Sequence, residues 1–251
     1  FQPANFGDDY AHQNLVCKKK SKSMNLVYFK NLIKENAWFF ACFALFLVVG
    51  AILLLTINQG DEIFYFSERR TVFGDLFFRY GTRLGEGAGF VIVALVFLFV
   101  RFRTAMYVPL LGMIVMITSN VTKKLFAHPR PWLYFQQLNM TDQLHLVEGV
   151  HINGGTNAFP SGHTMAAFAL YAFLAFILPK KQGWAVVLFL VALLVGISRI
   201  YLVQHFLKDV YLGAIIGVII AIIFYYFHER FPNRAWADRS LLKRRKPVAK
   251  A

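Results

Sequence analysis

Apolar and polar positions separate along this chain into six long apolar runs joined by short polar stretches. The runs lie at about residues 37–57, 84–100, 105–126, 164–178, 184–202 and 210–227. Several just reach the roughly 20 residues that an α-helix needs to cross a bilayer, and flanking residues complete the shorter ones. The run at 164–178 becomes long enough if its helix starts at Ser161. The pattern predicts an all-α fold, an integral membrane bundle of six transmembrane helices without an internal repeat. Residues 24–36 carry Leu26, Val27, Phe29, Leu32 and Ile33 among Lys30 and Lys34. They form either an interfacial amphipathic helix or simply the entry of the tail into the first span.

Composition agrees with burial in lipid. The chain is 57% hydrophobic and contains 27 Phe in 251 residues, more apolar surface than a soluble protein of this size hides. One membrane domain at 36–228 is expected between a basic tail at 1–35 and another at 229–251. The first apolar run starts near Ala37 and is long enough to stay in the membrane, so a cleavable signal peptide is not expected. Cys17 lies in the basic tail and Cys42 in the first run, which argues against a disulfide framework and against a cysteine metal site.

The net charge of +14 would suggest nucleic acid in a soluble protein. Here the excess sits in the tails (Lys18, Lys19 and Lys20; Lys243 to Lys246), where it sets topology and meets anionic headgroups. With both termini in the cytoplasm, 18 of the 27 Lys and Arg fall inside, as the positive-inside rule requires. Membrane lipids rather than nucleic acid are therefore the expected partners.

That orientation leaves three polar islands on the extracytoplasmic face. The first is Lys123 with Arg130 and Pro131, the second Pro160-Ser161-Gly162-His163, the third Ser198-Arg199 with His205 and Asp209. Ionisable groups in or beside lipid are costly and rarely kept there without a task. Ser161 suits a helix N-cap, Gly162 permits close backbone approach, and a helix N-terminus attracts anions. His205 and Asp209 stand four apart, so on a helix they share a face. A carboxylate there fixes the imidazole tautomer and frees the other nitrogen to attack. Arg199 is off that face, and a turn between the fifth and sixth spans must bring it back. Lys123 and Arg130 can neutralise a phosphoryl group from different directions; Lys124 is the rival to Lys123.

Lys-x6-Arg-Pro, then Pro-Ser-Gly-His, then Ser-Arg-x5-His-x3-Asp resembles the three-part signature of the type 2 phosphatidic acid phosphatase (PAP2) superfamily. The match is without substitution across 123–209. The resemblance implies a lipid phosphatase in which His205 becomes a phosphohistidine, Asp209 orients it, and His163 protonates the leaving oxygen and later activates water. Lys123, Arg130, Arg199, Ser161 and Gly162 would bind the phosphate oxygens, with no metal and no other cofactor. Undecaprenyl diphosphate, phosphatidylglycerol phosphate or phosphatidic acid, and lipid A 1-phosphate are the candidate substrates. Phosphotransfer to a second lipid is the alternative outcome, and a non-enzymatic transporter or a bis-histidine haem protein the remoter one.

Other polar residues are given smaller parts. His128, His145 and His151 are too irregularly spaced for a metal site. Residues 153–157 (Asn-Gly-Gly-Thr-Asn) form a turn-rich stretch near the substrate entrance. Arg79, Arg83 and Glu86 either touch a headgroup or pair structurally, and the structural role is expected. Lys208 is read as solvated.

Overall fold

The computed structural model describes residues 26–178, 182–230 and 240–241, so most of both basic tails lies outside the described residues. All regular structure among them is helical. In chain order the helices are α1 (Leu26–Glu35), α2 (Ala37–Thr56), α3 (Asp61–Glu68), α4 (Val72–Gly81), α5 (Gly87–Val100), α6 (Phe102–Phe126), α7 (Pro131–Gln137), α8 (Gly162–Ile177), α9 (Gln182–Tyr201) and α10 (Leu207–Arg230). A 3-10 turn at Thr82–Gly85 links α4 to α5, and another lies at Thr141–Gln143.

Among the described residues four helices are long and apolar enough to cross a membrane: α2, α6 running on to Gln137, α9 and α10. A fifth span results if Val72–Gly85 and Gly87–Val100, bent by 60°, are one element. The remaining predicted run is α8, a shorter apolar helix of 16 residues. At 1.5 Å per residue it is about 24 Å long, short for a bilayer. Every residue from Thr164 to Phe176 on it is buried, so α8 is apolar all round because protein encloses it. The outer helices show the opposite pattern. Leu45, Val48, Ile52 and Leu55 of α2 and Val91, Ile92, Leu95 and Val96 of α5 are exposed, a belt that water would not tolerate at this size. The stretch at 24–36 becomes α1 from Leu26 on, with Leu32 buried and most of its other apolar residues open.

The tightest packing is between α8 and α10, with α9 next against α8. A Cβ at Gly217 would lie 2.5 Å from the Met165 carbonyl oxygen, and one at Gly213 would lie 2.7 Å from that of Ser161. Two small residues four apart thus let the backbones touch, the small-xxx-small arrangement of membrane helix pairs. Aromatic rings fill the remaining core; Phe39, Phe168 and Phe173 are fully buried, and Phe39 meets Phe176 and Phe189 edge-on.

Direction alternates so that the C-termini of α6 and α9 and the N-termini of α5, α8 and α10 gather at one end of the bundle. The ties are Tyr171 Oη donating to the Leu84 carbonyl, 3.0 Å, and Ser161 N–H donating to the Asp209 carbonyl, 2.9 Å. Because rigid backbone opposes Gly217, a Gly217→Val chain should be destabilised by about 1–3 kcal/mol through overpacking. Thermal unfolding in detergent reads this directly, and an unchanged midpoint would mean the helices do not approach so closely.

Candidate active site

At that gathered end the chain reverses from α9 to α10 over Leu202 to Phe206. Val203 takes φ +56°, a left-handed conformation that costs a β-branched residue about 1–3 kcal/mol. The reversal folds the backbone onto the end of α9, and both Gln204 N–H (2.9 Å) and His205 N–H (3.1 Å) donate to the Arg199 carbonyl. Arg199 and His205, six apart in sequence, are neighbours for this reason.

His205 is not on α10; it precedes the helix. Asp209 in the first turn accepts both the Phe206 N–H at 3.0 Å and His205 Nδ1 at 3.2 Å on its Oδ2. The sequence reading placed the pair on one helical face; the contact forms instead as a helix cap, with Asp209 closing the N-terminus of α10. Glu62 of α3 supports the same end, its Oε1 accepting the Leu207 N–H at 2.9 Å. His205 and Asp209 are 1% and 0% exposed. Since a carboxylate only accepts, Nδ1 carries the hydrogen and Nε2 the lone pair. Burial, then the charges of Arg199, Arg130 and Lys123, push the His205 imidazole well below its ordinary value.

The cations come from three different elements. Arg130 caps α7, its Nε donating to Asn157 Oδ1 at 2.7 Å and its Nη1 to the carbonyl and Oε1 of Gln204 at 3.3 and 3.2 Å. Gln204 is held in turn through its Nε2 by the His151 carbonyl, 3.0 Å. Arg199 Nη1 donates to Thr82 Oγ1 at 2.7 Å, while its Nε is buried with no hydrogen-bond partner. Lys123 is half-buried and Lys124 exposed, which separates the two rivals. The Lys123 Nζ lies 3.4 Å from where a Gly162 Cβ would stand, and Ser119 Oγ lies 2.7 Å from the same point, so any larger residue there would displace the Ser119 hydroxyl.

Ser161 caps α8, its fully buried Oγ accepting Thr164 N–H at 3.4 Å and Thr164 Oγ1–H at 2.9 Å. The first turn of α8 points its N–H groups and partial positive charge toward the same cluster. His163, one residue inside, sets its Nε2 at 3.4 Å from Glu86 Oε1. All eight residues singled out in the sequence therefore meet at one end of the fold. Asn157, Gln204, Thr82 and Ser119 escaped the sequence reading, and Glu86 was expected in a structural part. Asn157 had a signal in the turn-rich loop, and Thr82 opens the short stretch that holds Arg83 and Glu86.

The other candidates disperse. His145 pairs through its backbone and ring with Ser67, the His128 ring lies tilted against that of Phe159, and His151 contributes its carbonyl. Among the described residues no three His, Cys, Asp or Glu side chains converge as metal ligands would. Arg79 donates to the Glu148 carbonyl, Arg83 stands over the Tyr80 ring, and Lys208 donates to Gln59.

Comparison with known proteins identifies the family. Residues 104–232 match the PAP2 superfamily, and the chain belongs to that family. It is 30% identical over 150 residues to the probable lipid phosphate phosphatase 4 of Arabidopsis thaliana, covering 51% of this chain and 49% of the relative. It is 27% identical over 124 residues to the undecaprenyl-diphosphatase BcrC of Bacillus subtilis (strain 168), covering 49% and 58%. The chain spans about half the length of these curated relatives. The crystal structure of Aquifex aeolicus LpxE superposes with a TM-score of 0.56 at 27% identity, covering 68% of this chain and 97% of that one.

Because His205 is held neutral, its ring should stay unprotonated at about pH 6, where an exposed imidazole is mostly protonated. Histidine 15N chemical shifts measure this, and an imidazolium signal for His205 at that pH would contradict the assigned environment.

Proposed function

We propose that this PAP2 superfamily protein removes a phosphate group from a membrane lipid through a phosphohistidine at His205. The observation that carries the reading is the convergence of Lys123, Arg130 and Arg199 on the buried His205–Asp209 pair. Like charges gathered in a poorly hydrated place repel one another, and a phosphate supplies the anion that satisfies all three. The three polar islands brought together are those by which the sequence resembles the family.

In this mechanism Nε2 of His205 attacks phosphorus while Nδ1–H stays on Asp209, as a cap and tautomer lock. The P–N bond forms as the P–O bond to the lipid breaks, and His163 gives its proton to the leaving oxygen. Water then attacks the phosphohistidine, returning a proton to His163 and releasing phosphate. Lys123, Arg130, Arg199, the Ser161 hydroxyl and the Gly162 N–H stabilise the charge spread over the equatorial oxygens. The cations fill the part that a metal fills elsewhere, so the reaction is taken to need none.

A lipid is the preferred substrate because the cluster sits at the end of apolar, outward-exposed helices. Curated relatives that carry lipid phosphate phosphatase and undecaprenyl-diphosphatase names favour the same class. We take the bundle to have six spans, with α8 as the enclosed one and the bent α4–α5 pair as another. Both termini are then cytoplasmic and the site extracytoplasmic, as the charge distribution favours.

Phosphate release from a panel of diphosphate and monophosphate lipids should be seen with the wild-type chain. His205→Ala and His163→Ala should each lower kcat/KM by about a hundredfold or more, and saturating EDTA should leave activity intact. Wild-type turnover in both variants would end the catalytic reading, and complete loss in EDTA would end the metal-free one. For orientation, a cysteine replacing Asn153 in an otherwise cysteine-free chain should react with an impermeant maleimide in intact cells; reaction only after lysis would reverse the topology.

A further inference from the structure

Two histidines at this site have carboxylate neighbours, and only one of those neighbours was visible in the motifs. Asp209 holds His205. On the opposite side Glu86 stands against His163, its Oε1 3.4 Å from Nε2. The groups around them are Lys123 from α6, Arg130 before α7, Arg199 from α9, and His205 and Asp209 at the start of α10. Three of these five are permanent or near-permanent cations, and Asp209 is already committed to His205 and the Phe206 N–H. A proton on His163 is therefore opposed from several sides, and Glu86 is the carboxylate placed to offset it.

Its placement is built rather than incidental. Glu86 is the extended residue at the 60° bend, after the 3-10 turn and before α5. That bend is pinned at three points. Thr82 accepts from Arg199, the Leu84 carbonyl accepts from Tyr171 Oη, and a Cβ at Gly85 would lie 2.8 Å from the His163 carbonyl oxygen. The turn therefore cannot shift without disturbing α8 or α9, and Glu86 is delivered to His163 by the same clamp that fixes Arg199.

We propose that Glu86 is a positioning residue that orients the His163 imidazole and favours its protonated form, the proton donor to the leaving oxygen. The inference rests on the phosphatase reading above. When P–Nε2 forms at His205 and P–O breaks, the proton passes from His163 to the lipid oxygen, and the attacking water later replaces it. Glu86 is unchanged over the cycle. Its side chain is 42% exposed and that of His163 34%, so the pair meets solvent, from which a donor can be reset, while the nucleophilic pair does not.

The test compares two substrates with one dodecyl tail: dodecyl phosphate, whose alkoxide leaves only with a proton, and a dodecyl-nitrophenyl phosphate, whose phenolate leaves without one. With the full-length chain in detergent micelles, Glu86→Gln should lower kcat/KM for the alkyl phosphate by about tenfold or more, within the range general acid catalysis supplies. The aryl phosphate should lose less than about threefold, since it bypasses the donor. The alkaline limb of the alkyl profile should also move to lower pH, because without the carboxylate His163 gives up its proton sooner. An equal loss on both substrates, or a limb that stays in place, overturns the role of Glu86 alone. Wild-type protein inactive on both substrates overturns the phosphatase reading and this inference with it.

Discussion

With the Met165 carbonyl oxygen only 2.5 Å from where a side chain at position 217 would begin, α8 and α10 run backbone against backbone, and the site inherits its geometry from that seam. Ser161 N–H reaches the Asp209 carbonyl at 2.9 Å only because the two helices start side by side. The turn at Ser161–Gly162 and the Asp209 cap are thereby fixed to one another by a hydrogen bond. Lipid offers little hydrophobic drive to press helices together, so close van der Waals contact along small residues has to supply the hold. α8 is then surrounded by its neighbours, which relieves it of the length requirement that a lipid-facing helix obeys.

Holding three cations beside a buried imidazole is expensive: desolvation costs several kcal/mol per ion even after relaxation. The fold meets this with neutral anchors more than with acids. Arg130 is bonded to Asn157 and Gln204 and Arg199 to Thr82. Amides and hydroxyls orient the guanidinium groups without cancelling their charge, which stays available to an anion. A ring of carboxylates would have cancelled that charge and repelled phosphate. The turn at Val203 adds to the cost, since its left-handed backbone is what brings His205 onto Arg199. Strain and uncompensated charge are concentrated where the ligand is expected, and the Phe-rich interior below carries the stability.

This division explains what the sequence disclosed. Long apolar runs are a local property, and the helices at Ala37–Thr56, Phe102–Phe126 and Leu207–Arg230 followed from them to within a few residues. The short helices α3, α4 and α7 did not, because their polar and aromatic residues lack any run to read; α4 reads as loop until its bend is seen. Spacing made His205 and Asp209 a pair, yet the pairing arises from a capped turn and not from a helical face. Lys123 and Lys124 are equivalent as letters and differ only in burial. Thr82 lies 117 residues from Arg199 and Gln204 lies 74 from Arg130. Such anchors are set by how helices pack, and no window along one chain contains them.

The two histidines of the proposed mechanism need opposite surroundings, and the fold separates them accordingly. A nucleophile works only with a free lone pair and a fixed tautomer, so His205 is sealed from water with Asp209 behind it. A proton donor has to be refilled each cycle, so His163 sits at the rim beside Glu86, where water reaches both. Exchanging these environments would defeat both roles: an exposed nucleophile would protonate, and a sealed donor beside three cations would stay empty. The bend at Glu86 is what keeps them apart. It carries a carboxylate to the rim, and through Thr82 it ties Arg199 to the floor of the site. One irregular turn thus links the helix that opens the site to the helix that closes it.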